Sequence, residues 1–168
     1  MRHCSCLASF LIFGLLLSGA QLPRRAPAFA MSLVDGSKVS LTQYRKKVVL
    51  MAYILTTCPH CQAVTGVFKQ LQSDLGPKGL QILECAVEDD SQKHIADFQT
   101  RFTPNFPLGW SGRAEAEPVL QPDEKLHIMP QSVLIDRRGM IRAQFYGDDK
   151  LFEGDALKHL TALISRYL

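Results

Sequence analysis

Uninterrupted apolar runs and helix-spaced apolar positions alternate along most of the chain. Val48 to Leu55 is apolar almost throughout, which predicts a central strand covered on both faces. From Pro59 onward Val64, Val67, Phe68, Leu71 and Leu75 recur at helical spacing, and Gly76-Pro77 with Gly79 ends that helix. A strand over Leu80 to Val87 follows. Ser91 is placed to cap a second helix whose apolar positions are Ile95, Phe98 and Phe102, with Thr103-Pro104 closing it. Strand, helix, strand, helix in that order predicts parallel pairing through a right-handed crossover.

Upstream, Ala28 to Val34 and Lys38 to Leu41 flank Asp35-Gly36, a hairpin turn signal. Downstream, Phe106 to Leu108 reads as a short strand. Residues 109–125 carry the weakest pattern and are expected on the surface, with a short helix around Ala114 to Leu120. Ser132 to Ile135 and Met140 to Phe145 read as strands joined by the turn Asp136-Arg137-Arg138-Gly139. Leu151 to Leu168 reads as a closing amphipathic helix bearing Leu157, Leu160, Leu163 and Ile164. The expected class is α/β, a mixed central sheet flanked by helices and preceded by an N-terminal β-hairpin.

Length and charge narrow this picture. With 168 residues, 46% of them hydrophobic, and a net charge of +3, the chain holds one core. That charge is too mild and dispersed for a nucleic-acid partner, and Arg45-Lys46-Lys47 reads as a solvated turn before a strand. Residues 1–20 have the form of a secretory leader: Arg2 and His3, an apolar segment from Leu7 to Leu17, then Ser18-Gly19-Ala20. Cleavage after Ala20 fits that form. Ala28-Phe29-Ala30 fits it too, but a cut there removes the first predicted strand. If the leader is not cleaved, its apolar run is short for a spanning helix and needs its flanks to act as an anchor. Cys4 and Cys6 precede the apolar run and are expected to leave with the leader. The organisation read from the chain is therefore a leader over 1–20, a Pro- and Arg-containing linker over 21–27 and a domain over 28–168. The expected location is the periplasm or cell envelope.

The chemistry concentrates at Cys58-Pro59-His60-Cys61, directly between the central strand and the first helix. Cysteines one helical turn apart close a small disulfide, and unpaired N–H groups at a helix N-terminus stabilise a thiolate. Pro59 suits the first helical position, and His60 adds positive charge beside the thiolate when protonated. A structural zinc site needs two further ligands at metal spacing, which do not follow, and haem attachment needs a His where Gln62 stands. A chance pair of packed cysteines is the remaining bland reading. After the leader the cysteine count is odd. Cys85, inside the strand-like run, reads as a small buried apolar residue.

In this order of elements the chain resembles thioredoxin-fold proteins of the TlpA/ResA type, within the redoxin (AhpC/TSA) group. The resemblance covers most of residues 26–168. It rests on Ala26-Pro27-Ala28-Phe29 with Asp35-Gly36 and Val39-Ser40-Leu41, on Lys47-Val48-Val49-Leu50, on the Cys-Pro-His-Cys motif, and on Met129-Pro130 followed by Ser132-Val133-Leu134-Ile135-Asp136 and Gly139. It implies a thioredoxin-like fold in which Pro130 follows a cis bond and faces the cysteines, leaving the Met129 backbone free to pair with a substrate strand. It also implies a thiol-disulfide oxidoreductase in which Cys58 attacks and Cys61 resolves. No cofactor is expected beyond the redox-active Cys58–Cys61 disulfide. The expected partners are protein thiols and disulfides and a membrane or envelope redox protein, with the chain itself a monomer.

Departures from the family are informative. Thr57 stands where a Trp often precedes the first cysteine, and Lys47 to Thr57 lacks the buried acid that thioredoxin carries in its central strand. A carboxylate relaying the resolving cysteine's proton is therefore expected at Glu88 or Asp89, with Glu84 behind them. His94, His127 and His159 read as surface residues, His127 alone lying close to Pro130 in sequence. Pro59-His60 resembles the dipeptide of the oxidant DsbA, whereas the frame resembles envelope reductants; reductant or general exchange is favoured. Two other activities compete with exchange. A thiol peroxidase of the peroxiredoxin type needs Thr and Pro where Leu55 and Met51 stand. A copper-delivery module of the Sco type needs one more residue between the cysteines and a distant His. A redox-inert binding domain would have little reason to hold both cysteines with Pro130.

Overall fold

A computed structural model describes residues 21–121 and 128–168. The leader-like segment 1–20 and His127 lie outside the described residues. The strands are β1 (Arg24–Arg25), β2 (Ala30–Leu33), β3 (Lys38–Ser40), β4 (Val48–Ile54), β5 (Leu80–Ala86), β6 (Leu108–Trp110), β7 (Gln131–Ile135) and β8 (Met140–Tyr146). The helices are α1 (Pro59–Leu75), α2 (Ser91–Phe102), α3 (Arg113–Leu120) and α4 (Ala156–Ile164), with 3-10 turns at Leu41–Tyr44, Gly76–Lys78 and Lys150–Phe152. They form a thioredoxin-like α/β fold.

All eight strands join one mixed sheet in the order β1-β8-β7-β4-β5-β6-β2-β3. β4 lies at its centre, parallel to β5 and antiparallel to β7, and every residue of β4 is buried. Its period-2 alternation feeds two apolar layers. Val48, Leu50 and Ala52 join Leu80 and Ile82 beneath Val64, Phe68 and Leu71 of α1 and Leu160 and Ile164 of α4. On the other side Val49, Met51 and Tyr53 join Leu83 and Cys85 beside Met31, Ile95, Phe98 and Val119. Burying a side chain the size of Phe68 or Leu71 contributes about 1.5–3 kcal/mol, so the apolar stripe of α1 fixes that helix against the strand preceding it. The N-terminal hairpin forms as expected, with Gly36 at φ 83 in its turn.

Several boundaries differ from the sequence reading, each for a traceable reason. The stretch read as a linker contains β1, which pairs with β8. Arg24 Nη2 donates to the carbonyls of Val119 at 2.7 Å and Leu120 at 3.2 Å, and to Gln144 Oε1 at 2.7 Å. That Arg satisfies carbonyls orphaned at the end of α3, a contact between residues far apart in sequence. Asp90, in a left-handed conformation at φ 62, stands at the cap of α2, and Ser91 is its first residue. The strand expected at Phe106 begins at Leu108, because Pro107 has no N–H for the ladder; its carbonyl accepts from Glu84 N at 3.1 Å. The region placed on the surface is instead woven into the fold: β6 pairs with β5 and β2, and Ala116, Val119 and Leu120 are buried. The closing helix begins only at Ala156. Gly154 takes φ 57, and the Asp155 carboxylate accepts from Lys158 N at 3.0 Å, starting the helix there.

Gly109 sits where β6 passes β2. A Cβ there would overlap the Ser32 carbonyl oxygen and lie 3.1 Å from both Leu33 Cδ2 and Met31 Cγ. Gly109→Ala is expected to destabilise the fold by roughly 1–3 kcal/mol through overpacking, measured as a lower urea midpoint at unchanged slope. Among the described residues, no helix is long and apolar enough to cross a membrane.

Candidate active site

β4 runs into the sheet edge at Ile54, and the chain turns through Thr56 and Thr57 to Cys58, the N-cap of α1. Cys58 has extended backbone at φ −77 and ψ 119, and Pro59 occupies the first turn, where a missing N–H costs nothing. Cys58 Sγ accepts from Cys61 N at 3.4 Å, so one orphan donor of the helix end points at the sulfur. The approach is held on both sides. Cys58 N donates to Leu55 O at 3.1 Å, and Gln62 Nε2 donates to Thr56 O at 2.8 Å. Glu88 accepts from Thr56 N at 2.9 Å and, through a short contact, from the Thr56 hydroxyl.

The two cysteines sit at different depths: Cys58 is half-buried and Cys61 fully buried. Burial pushes the Cys61 thiol far above its ordinary value, and nearby Cys58 and Glu84 add to that shift. His60 meets Phe152 edge to face, ring centroids 5.7 Å apart at 79°. Phe152 in turn packs on Phe145 of β8. The third thiol, Cys85, has its Sγ 3.3 Å from Ser111 Oγ, is fully buried and is pushed up to about 12 by burial. It is an inert core residue in this environment.

Glu84 occupies the middle of β5, opposite Ala52 of β4 and Leu108 of β6, and has no exposed surface. The Thr65 hydroxyl lies 2.8 Å from Glu84 Oε1 and 3.0 Å from the carbonyl oxygen of Cys61. One hydroxyl proton serves only one of these acceptors, so a protonated Glu84 supplies the second hydrogen bond. Burial agrees, pushing the Glu84 carboxyl up to about 8, with Thr65 opposing that shift. The second carboxyl oxygen is buried without a partner among the described residues.

Of the three acids named from sequence, Glu84 is the fully buried one, joined through Thr65 to the Cys61 carbonyl. Glu88 orients the strand-to-helix turn, and Asp89 is exposed. The burial of Glu84 follows from the fully covered sheet, whereas an acid in a strand normally reads as its solvent face. The available signal was Glu84's position between Leu83 and Cys85 in an otherwise apolar run. His94 and His159 are exposed, as expected.

Met129 and Pro130 precede β7, whose first residue Gln131 pairs with Tyr53. Antiparallel register thus sets Pro130 beside the end of β4 that leads to Cys58. The Met129–Pro130 bond is cis, and Met129 and Cys61 share one apolar cluster, with Cys58 packed against it. Gly147 was not singled out in the sequence. A Cβ there would overlap the Met129 carbonyl and lie 3.1 Å from Pro130 Cδ. Gly147→Ala is expected to displace the Met129–Pro130 segment and lower disulfide-exchange activity by roughly tenfold while costing about 1–3 kcal/mol. Parallel activity and unfolding measurements separate the two effects.

The model of the AhpC/TSA family matches residues 22–144. The chain is 22% identical over 125 residues to the thioredoxin-like protein YneN of Bacillus subtilis, covering 74% of this chain and 71% of that protein. Over 85 residues it is 29% identical to a Mycobacterium tuberculosis protein provisionally named a peroxiredoxin, covering 50% of this chain and 53% of that one. Among solved structures, a thiol:disulfide interchange protein from Bacteroides sp. superposes with a TM-score of 0.70 at 19% identity, over 89% of this chain and 93% of that one. That structural likeness bears on the fold, while the family match takes in β4, both cysteines of the motif, Glu84 and Pro130. The chain belongs to the AhpC/TSA family of redoxins.

Proposed function

We propose that this redoxin is an exported thiol-disulfide oxidoreductase that exchanges disulfides with protein substrates through Cys58 and Cys61. The observation that carries the reading is the unequal depth of the two sulfurs: Cys58 half-buried on a helix N-terminus, and Cys61 buried one turn behind it. The Cys58 thiolate attacks a substrate disulfide, forming a mixed disulfide and expelling one substrate thiolate. Once Glu84 is ionised, Cys61 gives its proton to that carboxylate and attacks the Cys58 sulfur. The Cys58–Cys61 disulfide forms, and the second substrate thiolate leaves and is protonated. Two electrons pass from the dithiol to the substrate, and the reverse sequence oxidises a substrate dithiol. The Met129 backbone beside Pro130 pairs with the substrate strand.

The leader form of residues 1–20 supports export to the periplasm or cell envelope, where a membrane or envelope partner would restore the dithiol. The chain works as a monomer. The frame favours reduction or general exchange, against the more oxidising precedent of Pro59-His60.

A thiol peroxidase is the competing reading, favoured by the mycobacterial relative. The positions that would activate peroxide hold Leu55 and the fully buried Met51, neither with a hydroxyl to offer. The test supplies the same thiol reductant with insulin or with hydrogen peroxide. Insulin reduction well above the uncatalysed rate, with peroxide consumption at background, is expected. Rapid peroxide turnover without insulin reduction would replace exchange with peroxidase chemistry.

A further inference from the structure

Three basic stretches far apart in sequence meet around one cavity at the end of the sheet opposite Cys58. Arg25 ends β1, Arg45-Lys46-Lys47 leads into β4, and Arg137-Arg138 turns β7 into β8. The cavity encloses ≈ 590 Å³, within the size range of small-molecule sites. Its interior includes Tyr44 and the inner residues Val49 and Ile135, so a cationic rim surrounds an apolar floor. Taken alone, Arg45-Lys46-Lys47 is a solvated turn. The topology makes it one part of a six-cation ring.

All six cationic side chains are exposed. Among the described residues Asp136 is the one acid lining the cavity, and it is already engaged. Its Oδ1 accepts from Arg138 N and Met140 N, each at 2.9 Å, and its Oδ2 accepts from Arg142 Nε at 2.7 Å. Arg137 donates to the Lys78 and Leu168 carbonyls. The ion pairs Lys93–Asp90 and Arg142–Asp136 among the described residues involve none of the six rim cations. Like charges held together repel and destabilise a compact state. A multivalent anion relieves that repulsion, and guanidinium forks match the oxygens of phosphate in pairs.

We propose that this cavity binds a phosphate-bearing anion, its oxygens on the Arg and Lys rim and its apolar part on the floor. Two sources share that chemistry: a soluble phosphate compound, or the headgroup of an acidic phospholipid. The inference does not depend on the thiol chemistry.

The test uses the full chain and the variant Arg45→Gln/Lys47→Gln/Arg138→Gln, with circular dichroism as the control for folding. Inorganic pyrophosphate is titrated by calorimetry. Phosphatidylglycerol and phosphatidylcholine vesicles are compared by co-sedimentation, the zwitterionic lipid measuring what the apolar leader contributes alone. Saturable pyrophosphate binding, weakened tenfold or more in the variant and by added salt, supports the site with a soluble ligand. Binding to phosphatidylglycerol alone, weakened to the same degree, supports the site with a lipid headgroup. Binding to neither probe, or binding that the triple substitution leaves unchanged, overturns the proposal.

Discussion

Cys58→Ser is expected to lower insulin-disulfide reduction at least a thousandfold, to the uncatalysed rate, while Cys85→Ala leaves it within about twofold. The contrast follows from placement. Cys58 caps α1 and receives the Cys61 N–H on its sulfur, whereas Cys85 faces the core beside Ser111 with its thiol pushed up to about 12. A serine at 58 keeps the cap but not the nucleophile, because a hydroxyl is not ionised near neutral pH. Loss of turnover with unchanged thermal stability is thus the expected pair of results. Stopped-flow turnover with calorimetric unfolding on the same preparations checks both. Residual turnover in Cys58→Ser that disappears in Cys58→Ser/Cys85→Ala would move the nucleophile to the wrong cysteine.

The second large effect belongs to Glu84, and Glu84→Gln is expected to act in two directions at once. Catalytically, the substitution removes the proton acceptor behind Cys61, and the release of mixed disulfide should slow by roughly a hundredfold above about pH 8, where Glu84 is ionised, at the low end for general acid-base catalysis. The first attack by Cys58 should change little, which burst kinetics distinguishes. Thermodynamically, the same substitution should stabilise the protein at neutral and alkaline pH. Glu84 has a folded value pushed up from 4.5 to about 8. Its favourable contribution relative to the unfolded chain is complete below the unfolded value and is lost as pH rises toward the folded one. Over that window folding must take up a proton, at about 1.4 kcal/mol per pH unit, or on the order of 3 kcal/mol by pH 7. Urea unfolding of the reduced proteins should therefore give nearly equal stabilities near pH 4.5 and a growing advantage for Glu84→Gln up to about pH 8. A constant difference across that range would mean that Glu84 is not titrating in the folded protein.

Elements with a strong local pattern were readable in advance: the apolar run of β4, the helical spacing of α1 and the Asp35-Gly36 hairpin each matched what formed. The motif at Cys58 and Cys61 was equally legible, since strand, cysteines and helix are contiguous. What escaped was decided between distant residues. Arg24 looks like linker composition until its guanidinium reaches the end of α3. β6 is too short for its own pattern and exists because β5 and β2 flank it. Glu84 in a covered strand has no period to betray which face it occupies, and Gly147 matters only through the Met129 carbonyl it approaches. The basic cavity was hidden for the same reason, because β1, the segment before β4 and the β7–β8 turn become neighbours only in the folded sheet.

In the proposed exchange Cys58 carries a protein disulfide and Cys61 releases it. The most direct measurement is mass-spectrometric mapping of the covalent adduct formed by the Cys61→Ser chain with oxidised insulin. A stable mixed disulfide on Cys58 is expected, discharged by added dithiothreitol and absent from the chain that retains Cys61. An adduct mapped to Cys85, or no adduct while Cys61→Ser keeps full turnover, would contradict it.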